Sequence, residues 1–221
     1  MAAGGLSGPI GDRPTNHIWR KVEMKSKKIM TYTGKEFDLW APNIEQICIG
    51  DIAHALALTN RYGGHTLVPY SVAEHCVRAS YIPDDNSKHS LEILLHDAAE
   101  AYVGDIVSPQ KQALWWKDQD EADEWIYLQS FQDHEDWLLQ RIYDAFKLKP
   151  AKIRGTADVV KQADLTMLAT EVRDLMPVGA ADAEIFKPWL EDVRPLRQRI
   201  IPWNWQDAER KFLERFEELT K

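Results

Sequence analysis

At 221 residues, 44% hydrophobic and 10% aromatic, the chain is sized for one core and too short for two independent ones. Its formal net charge of −8 disfavours nucleic acid as a partner, because a phosphate backbone rewards a basic surface. A small nucleotide stays open, since it needs only a few local cations. Cys48 and Cys76 are the whole cysteine complement, which excludes a disulfide scaffold. No run approaches the roughly 18 consecutive apolar residues of a membrane span. The opening MAAGGLSGPIGD has neither the basic nor the apolar region of a signal peptide, so a cytoplasmic protein is expected.

In chain order, the Gly/Ala/Pro-rich stretch to about Pro14 predicts disorder, followed by a basic amphipathic segment. Residues 1–30 are read as an N-terminal extension and 31–221 as the folded unit. TYTGKEFDLW, with a Thr-Gly-Lys turn between two extended runs, predicts a small hairpin. From Asp51 the pattern is helical. One helix carries Ile52, Leu56 and Leu58 and is closed by Gly63–Gly64. Ser71 opens another, with Glu74 three residues on as a capping-box partner. Leu91, Leu94, Leu95 and Ala98 predict a helix over 87–102. A short helix starts at Pro109, and longer ones are expected over 120–146, 156–176 and 205–219. The Trp-rich stretch 115–137 belongs to this helical reading, with packing or subunit contact as its expected role. His17, His89 and His134 are read as surface residues. The predicted class is all-α, a compact multi-helix fold with a small N-terminal β-hairpin and a motif core over 51–176.

Three of these helices carry the informative residues. His75 stands among small and apolar neighbours in YSVAEHC, His96 and Asp97 are central in LLHDAAEAY, and Asp164 lies in VVKQADLTMLATE. Each alone has an ordinary reading, as a core histidine or a solvated helix charge. An His-Asp pair flanked by Leu94, Leu95, Ala98 and Ala99 needs compensation, however, because charge is rarely buried without a partner. A divalent cation supplies it by neutralising carboxylates while accepting imidazole nitrogen. The mixed N/O set suits one ion of Mn, Co, Zn, Fe or Ni, with Mg as an alternative.

Taken together, SVAEH, LLHDAAEAYVGDIVSPQK and VKQAD resemble, in that order, the HD-domain phosphohydrolases, specifically their deoxynucleotidase-like branch. The resemblance spans residues 31 to 176. It implies an all-helical fold whose metal set maps onto His75, His96, Asp97 and Asp164. It also implies that Glu100 acts on the attacking water with Asp97 beside it; on a continuous helix Glu100 would be i+4 from His96 and i+3 from Asp97. Asp105 corresponds to the residue that senses the sugar hydroxyl, and Arg61 and Tyr62 to an Arg–aromatic pair lining the substrate pocket. Lys111 and Lys161 are candidates for holding phosphate.

Within that branch the phrases TYTGK, IxDIAHAL, RYxGH and YSVAEH are similar to a group that includes phage dATP triphosphohydrolases, which deplete the dATP pool. The resemblance therefore implies hydrolysis of dATP to deoxyadenosine and phosphates by a homo-oligomer. A 5'-deoxynucleotidase acting on several dNMPs shares the same residues and is the alternative. A non-catalytic nucleotide-binding protein is a third, and a two-metal phosphodiesterase or oxygenase would need a further histidine pair that the sequence does not present.

Overall fold

The computed structural model describes residues 27–83, 89–119, 125–149 and 158–221. The expected N-terminal arm lies outside them as far as residue 26. Strand β1 (Lys28–Met30) pairs antiparallel with β2 (Glu36–Asp38) in the register Ile29 opposite Phe37. The hairpin is therefore present, but its first strand lies upstream of Tyr32, and Thr31–Lys35 forms the turn closed by Gly34 N donating to Thr31 O. Asp51 anchors that turn, accepting from the Thr33 backbone at 2.7 Å and its hydroxyl at 2.9 Å.

Helix α1 (Ile49–Leu58) stops at Thr59, ahead of the glycines expected to close it. Gly63 and Gly64 instead belong to a short 3-10 turn in which Tyr62 (φ 58) and Gly63 (φ 58) adopt left-handed backbone. Ser71 caps α2 (Val72–Ala79) by accepting from Glu74 N, as expected. The reciprocal half of the box is absent. Glu74 accepts from Arg78 and from Trp203 N, and so ties α2 to the chain's last segment.

The helix predicted over 87–102 is two pieces, α3 (Ser90–Leu94) and α4 (Glu100–Val103). Between them the backbone tightens to three-residue hydrogen bonds, Ala98 N to Leu95 O and Glu100 N to Asp97 O. His96 and Asp97 thus sit on a break, where regular helical arithmetic does not apply. After α5 (Ser108–Ala113) comes a second departure. The predicted helix over 120–146 begins at Phe131, and the chain before it forms a hairpin of β3 (Trp115–Gln119) and β4 (Trp125–Ser130). The aromatic and β-branched residues on either side of the acidic stretch suit strands. Trp115, Trp116 and Trp125 are consequently strand residues. Ser130 and Asp133 then build a complete capping box for α6 (Phe131–Ala145).

Helix α7 runs over Asp158–Leu175, α8 over Lys187–Leu190 and α9 over Trp205–Thr220. Helix α9 lies across α1, α2 and α3, while α7 packs on α2 and α3. Ala208, Phe212 and Arg215, spaced i, i+4, i+7, form the buried stripe of α9. The Arg215 guanidinium is satisfied in the interior by Ser80 Oγ at 3.1 Å and Ser80 O at 3.0 Å. The main core gathers Phe37, Ile52, Leu56, Val72, Leu94, Leu138 and Phe212. The class is all-α with a small N-terminal hairpin, as expected. Among the described residues no helix is long and apolar enough to cross a membrane.

Candidate metal centre

Helix α2 delivers His75, the break between α3 and α4 delivers His96 and Asp97, and α7 delivers Asp164. His75 Nε2 lies 3.3 Å from His96 Nε2, 3.7 Å from Asp97 Oδ2 and 3.6 Å from Asp164 Oδ1. His96 Nε2 is 3.3 Å from Asp97 Oδ2. Ligands bound about 2.0–2.2 Å from one ion stand roughly 3.0–3.5 Å apart, so this spacing fits a shared cation. His75, His96 and Asp97 form a group that could hold a metal ion, and Asp164 adjoins it.

The far sides of the two imidazoles carry the same message. His75 Nδ1 lies 2.6 Å from Glu171 Oε1, and His96 Nδ1 lies 2.6 Å from the Ile93 carbonyl. Both partners are acceptors, so each Nδ1 carries its proton and donates it. Both Nε2 lone pairs then point into the space shared with the two carboxylates. With both rings neutral the four facing atoms are all acceptors, and positive charge among them, from a shared cation or a protonated imidazole, relieves their repulsion. The donor set therefore fits a metal.

Glu171, which the motifs did not single out, organises this shell. It is fully buried, and besides His75 it accepts from Tyr62 Oη at 2.5 Å and Arg61 Nε at 3.2 Å. Burial pushes its carboxyl upward, but Arg61 and His75 outweigh that and hold it at about 2. Arg61 also donates to Asp97 Oδ2 at 3.2 Å. Arg61 and Tyr62 are thus engaged with interior carboxylates. Asp164 behaves like Glu171, since burial is overcome by His96, His75 and Lys161 and its carboxyl falls to about 2. Asp97 is likewise lowered against burial, by His96, His75 and Arg61. One sign could have found Glu171: it lies two helical turns beyond Asp164 on the same face of α7, an acid within an apolar run.

On the other side of Asp97 lies a second ionic group. Lys111 Nζ donates to Glu100 Oε1 at 3.2 Å and to Glu135 Oε1 and Oε2 at 2.7 and 2.9 Å. Glu135, from α6, was absent from the sequence-based candidates. Burial, followed by the nearby Asp97, drives the Glu100 carboxyl well above its ordinary value, and burial likewise raises Glu135. Glu100 Oε2 is buried without a hydrogen-bond partner. Asp105 accepts from the Tyr62 backbone and is raised by burial, partly offset by Arg61. Lys161, at the solvent edge, donates to Asp164 Oδ2 at 3.0 Å.

The remaining histidines divide differently from expectation. His134 is buried, tilted against Trp40 and stacked near Trp137, and is not a surface residue. His54 pairs with Glu209 at 3.1 Å and stacks on Tyr32. A cavity of about 620 Å³ lined by Arg78, Tyr81, Trp203 and Arg215 contains none of the candidate ligands.

No family model matches the chain. Among curated proteins, the uncharacterized protein YfdR of Escherichia coli (strain K12) is 34% identical over 194 residues, covering 87% of this chain and 96% of its own length. The uncharacterized protein RCAP_rcc00048 of Rhodobacter capsulatus is 30% identical over 179 residues, covering 77% of this chain and 85% of its own. With a third of its residues shared along nearly the whole length of both chains, the protein belongs to the family of YfdR.

Proposed function

We propose that the protein is a metal-dependent phosphohydrolase of deoxynucleotides. The observation that carries this reading is the convergence of His75, His96, Asp97 and Asp164, with the buried Glu100 beside it. Those four residues would hold one divalent ion, for which Mn, Co and Zn suit the donors and Mg is an alternative. Bound there, such an ion would polarise a phosphoryl oxygen and acidify water. Glu100 would manage the proton of the attacking water through its unpartnered Oε2. Lys161 would hold a phosphate oxygen at the rim, and Asp105 would meet the sugar.

The expected substrate is dATP, cleaved to deoxyadenosine and phosphates. A specific observation favours the second reading, removal of one phosphate from several dNMPs. Arg61 and Lys111, two of the cations assigned to substrate, spend their charge on Glu171, Asp97, Glu100 and Glu135. Little of that charge is left for a polyphosphate tail.

Chromatographic product analysis with Mn²⁺, Co²⁺, Zn²⁺ or Mg²⁺ over all dNTPs, dNMPs and their ribose counterparts separates the two. Selective loss of dATP supports the triphosphohydrolase, and turnover confined to dNMPs supports the deoxynucleotidase. No consumption with any ion would end the proposal. Asp97→Ala should lose both the bound metal, read by elemental analysis, and turnover.

A further inference from the structure

Exposure is graded across the His–Asp cluster. The His75 side chain is fully buried and that of His96 is 10% exposed, whereas Asp97 and Asp164 reach 20% and 26%. The cluster therefore opens on its carboxylate side. Moving outward from Asp164 Oδ2, the next group is Lys161 Nζ, and beyond it lies the ring of Trp189, whose centroid is 5.4 Å from that ammonium. Trp189 stands on α8, which packs against α7, the helix that also carries Lys161 and Asp164.

Trp189 is 47% exposed. A ring that large seldom stays half in water, and here the ammonium approaches one side only, so about half its surface remains available. The segment that presents it has two marked positions. Gly179 holds a left-handed turn at φ 86, and Pro188 occupies the first turn of α8. Cluster, ammonium and aromatic ring thus follow one another outward through successive contacts. That order matches the parts of a nucleotide, in which an anionic phosphate is joined through a sugar to a planar base.

We propose that Trp189 is the stacking platform for the base of a nucleotide whose phosphate lies at the His75–His96–Asp97–Asp164 cluster, with Lys161 meeting the oxygens between. This rests on the phosphohydrolase reading only for the assignment of phosphate to the cluster. Stacking uses the ring face that every base possesses, so the platform favours nucleotides over base-free phosphates without selecting adenine. That is a broader substrate class than a single purine.

The test compares dAMP with 2-deoxyribose 5-phosphate in the presence of Mn²⁺, for the wild type, Trp189→Ala and Trp189→Phe. The ratio of kcat/KM for dAMP over the base-free ester should fall about tenfold or more in Trp189→Ala, chiefly through KM, and recover largely in Trp189→Phe. An unchanged ratio in Trp189→Ala, or an equal loss for both compounds, overturns the platform. If the wild type releases phosphate from neither compound, the deoxynucleotidase alternative fails, the dATP reading is decided by the product analysis above, and stacking is judged by equilibrium binding of the same two probes. There, a wild-type preference for dAMP that Trp189→Ala removes supports the platform. No such preference, or one that survives the substitution, overturns it.

Discussion

Glu171 and Glu100 are both buried glutamates next to the same His–Asp group, yet their surroundings drive them apart. Glu171 has a donor on each oxygen, from His75, Tyr62 and Arg61, and its carboxyl is held at about 2. Glu100 shares one lysine with Glu135, keeps one oxygen without a partner and is raised well above the carboxylate range. A saturated carboxylate has nothing left to give and fixes its neighbours. An under-satisfied one retains capacity to take and return a proton. The two sides of Asp97 thus place the same residue type in opposite electrostatic settings.

The comparison can be broken most decisively at Glu100. Glu100→Ala should lower kcat by roughly 10²–10⁴ while metal content stays near wild type, as expected for a proton-handling group. Loss of metal in that variant would place Glu100 with the structural carboxylates instead. Glu171→Gln should act through the other side. It leaves Arg61 and the His75 N–H short of their anion, costs about 3–5 kcal/mol in urea unfolding, and weakens metal affinity by roughly 10–100-fold. If affinity holds while stability falls, Glu171 supports the fold and not the ligand set.

Glu135→Gln sharpens the contrast more gently. Four groups face Glu100, namely Asp97, Lys111, Asp105 and Glu135, and removing the negative charge of Glu135 leaves Lys111 to Glu100. The Glu100 carboxyl should then titrate lower, so the acidic limb of the kcat/KM profile moves to lower pH. An unmoved limb would mean that Lys111 and Glu135 serve packing only.

Asp174 provides the smallest effect and an independent reference. It accepts from Arg173, Arg199 and the Ile200 backbone, and these interactions outweigh burial to hold its carboxyl at about 2. A depressed carboxyl stabilises the fold above its unfolded value, and that contribution disappears as pH falls toward about 2. Asp174→Asn should cost about 1–2 kcal/mol at neutral pH, and its melting temperature should converge with wild type as pH falls below about 4. A gap that persists in acid would show that packing, not charge, ties the 196–200 segment to α7.

How much of this was legible in the chain differs by element. The class, the first hairpin and the grouping of His75, His96, Asp97 and Asp164 could be read because each motif is local and its hydrophobic frame is regular. The break at His96–Asp97 could not, because the apolar spacing of Leu91, Leu94, Leu95 and Ala98 continues across it and gives no sign of the tightened turn. The β3–β4 hairpin was hidden by its acidic centre, which reads equally well as a helix start. Glu171 and Glu135 were missed for a shared reason. Each matters only through residues far along the chain, His75 for the first and Lys111 for the second, and periodicity carries no information about such pairs. His134 similarly reads as polar until Trp40 covers it.

Those long reaches bear on the order in which the molecule assembles. Lys111 and Glu135 are 24 positions apart and are joined through a hairpin, so their pairing closes a short loop. The His75–Glu171 contact spans 96 positions and the Arg61–Glu171 contact 110, and Ser80 meets Arg215 across 135. Pairings of that length form slowly, because chain entropy is lost before the contacts reward it. The lysine and its acids therefore come together early in folding, and the histidine shell closes late. A metal ion bound at this cluster would then find its full set of ligands only in a nearly finished protein, entering as the last component to be fitted and not as the template around which the chain collapses.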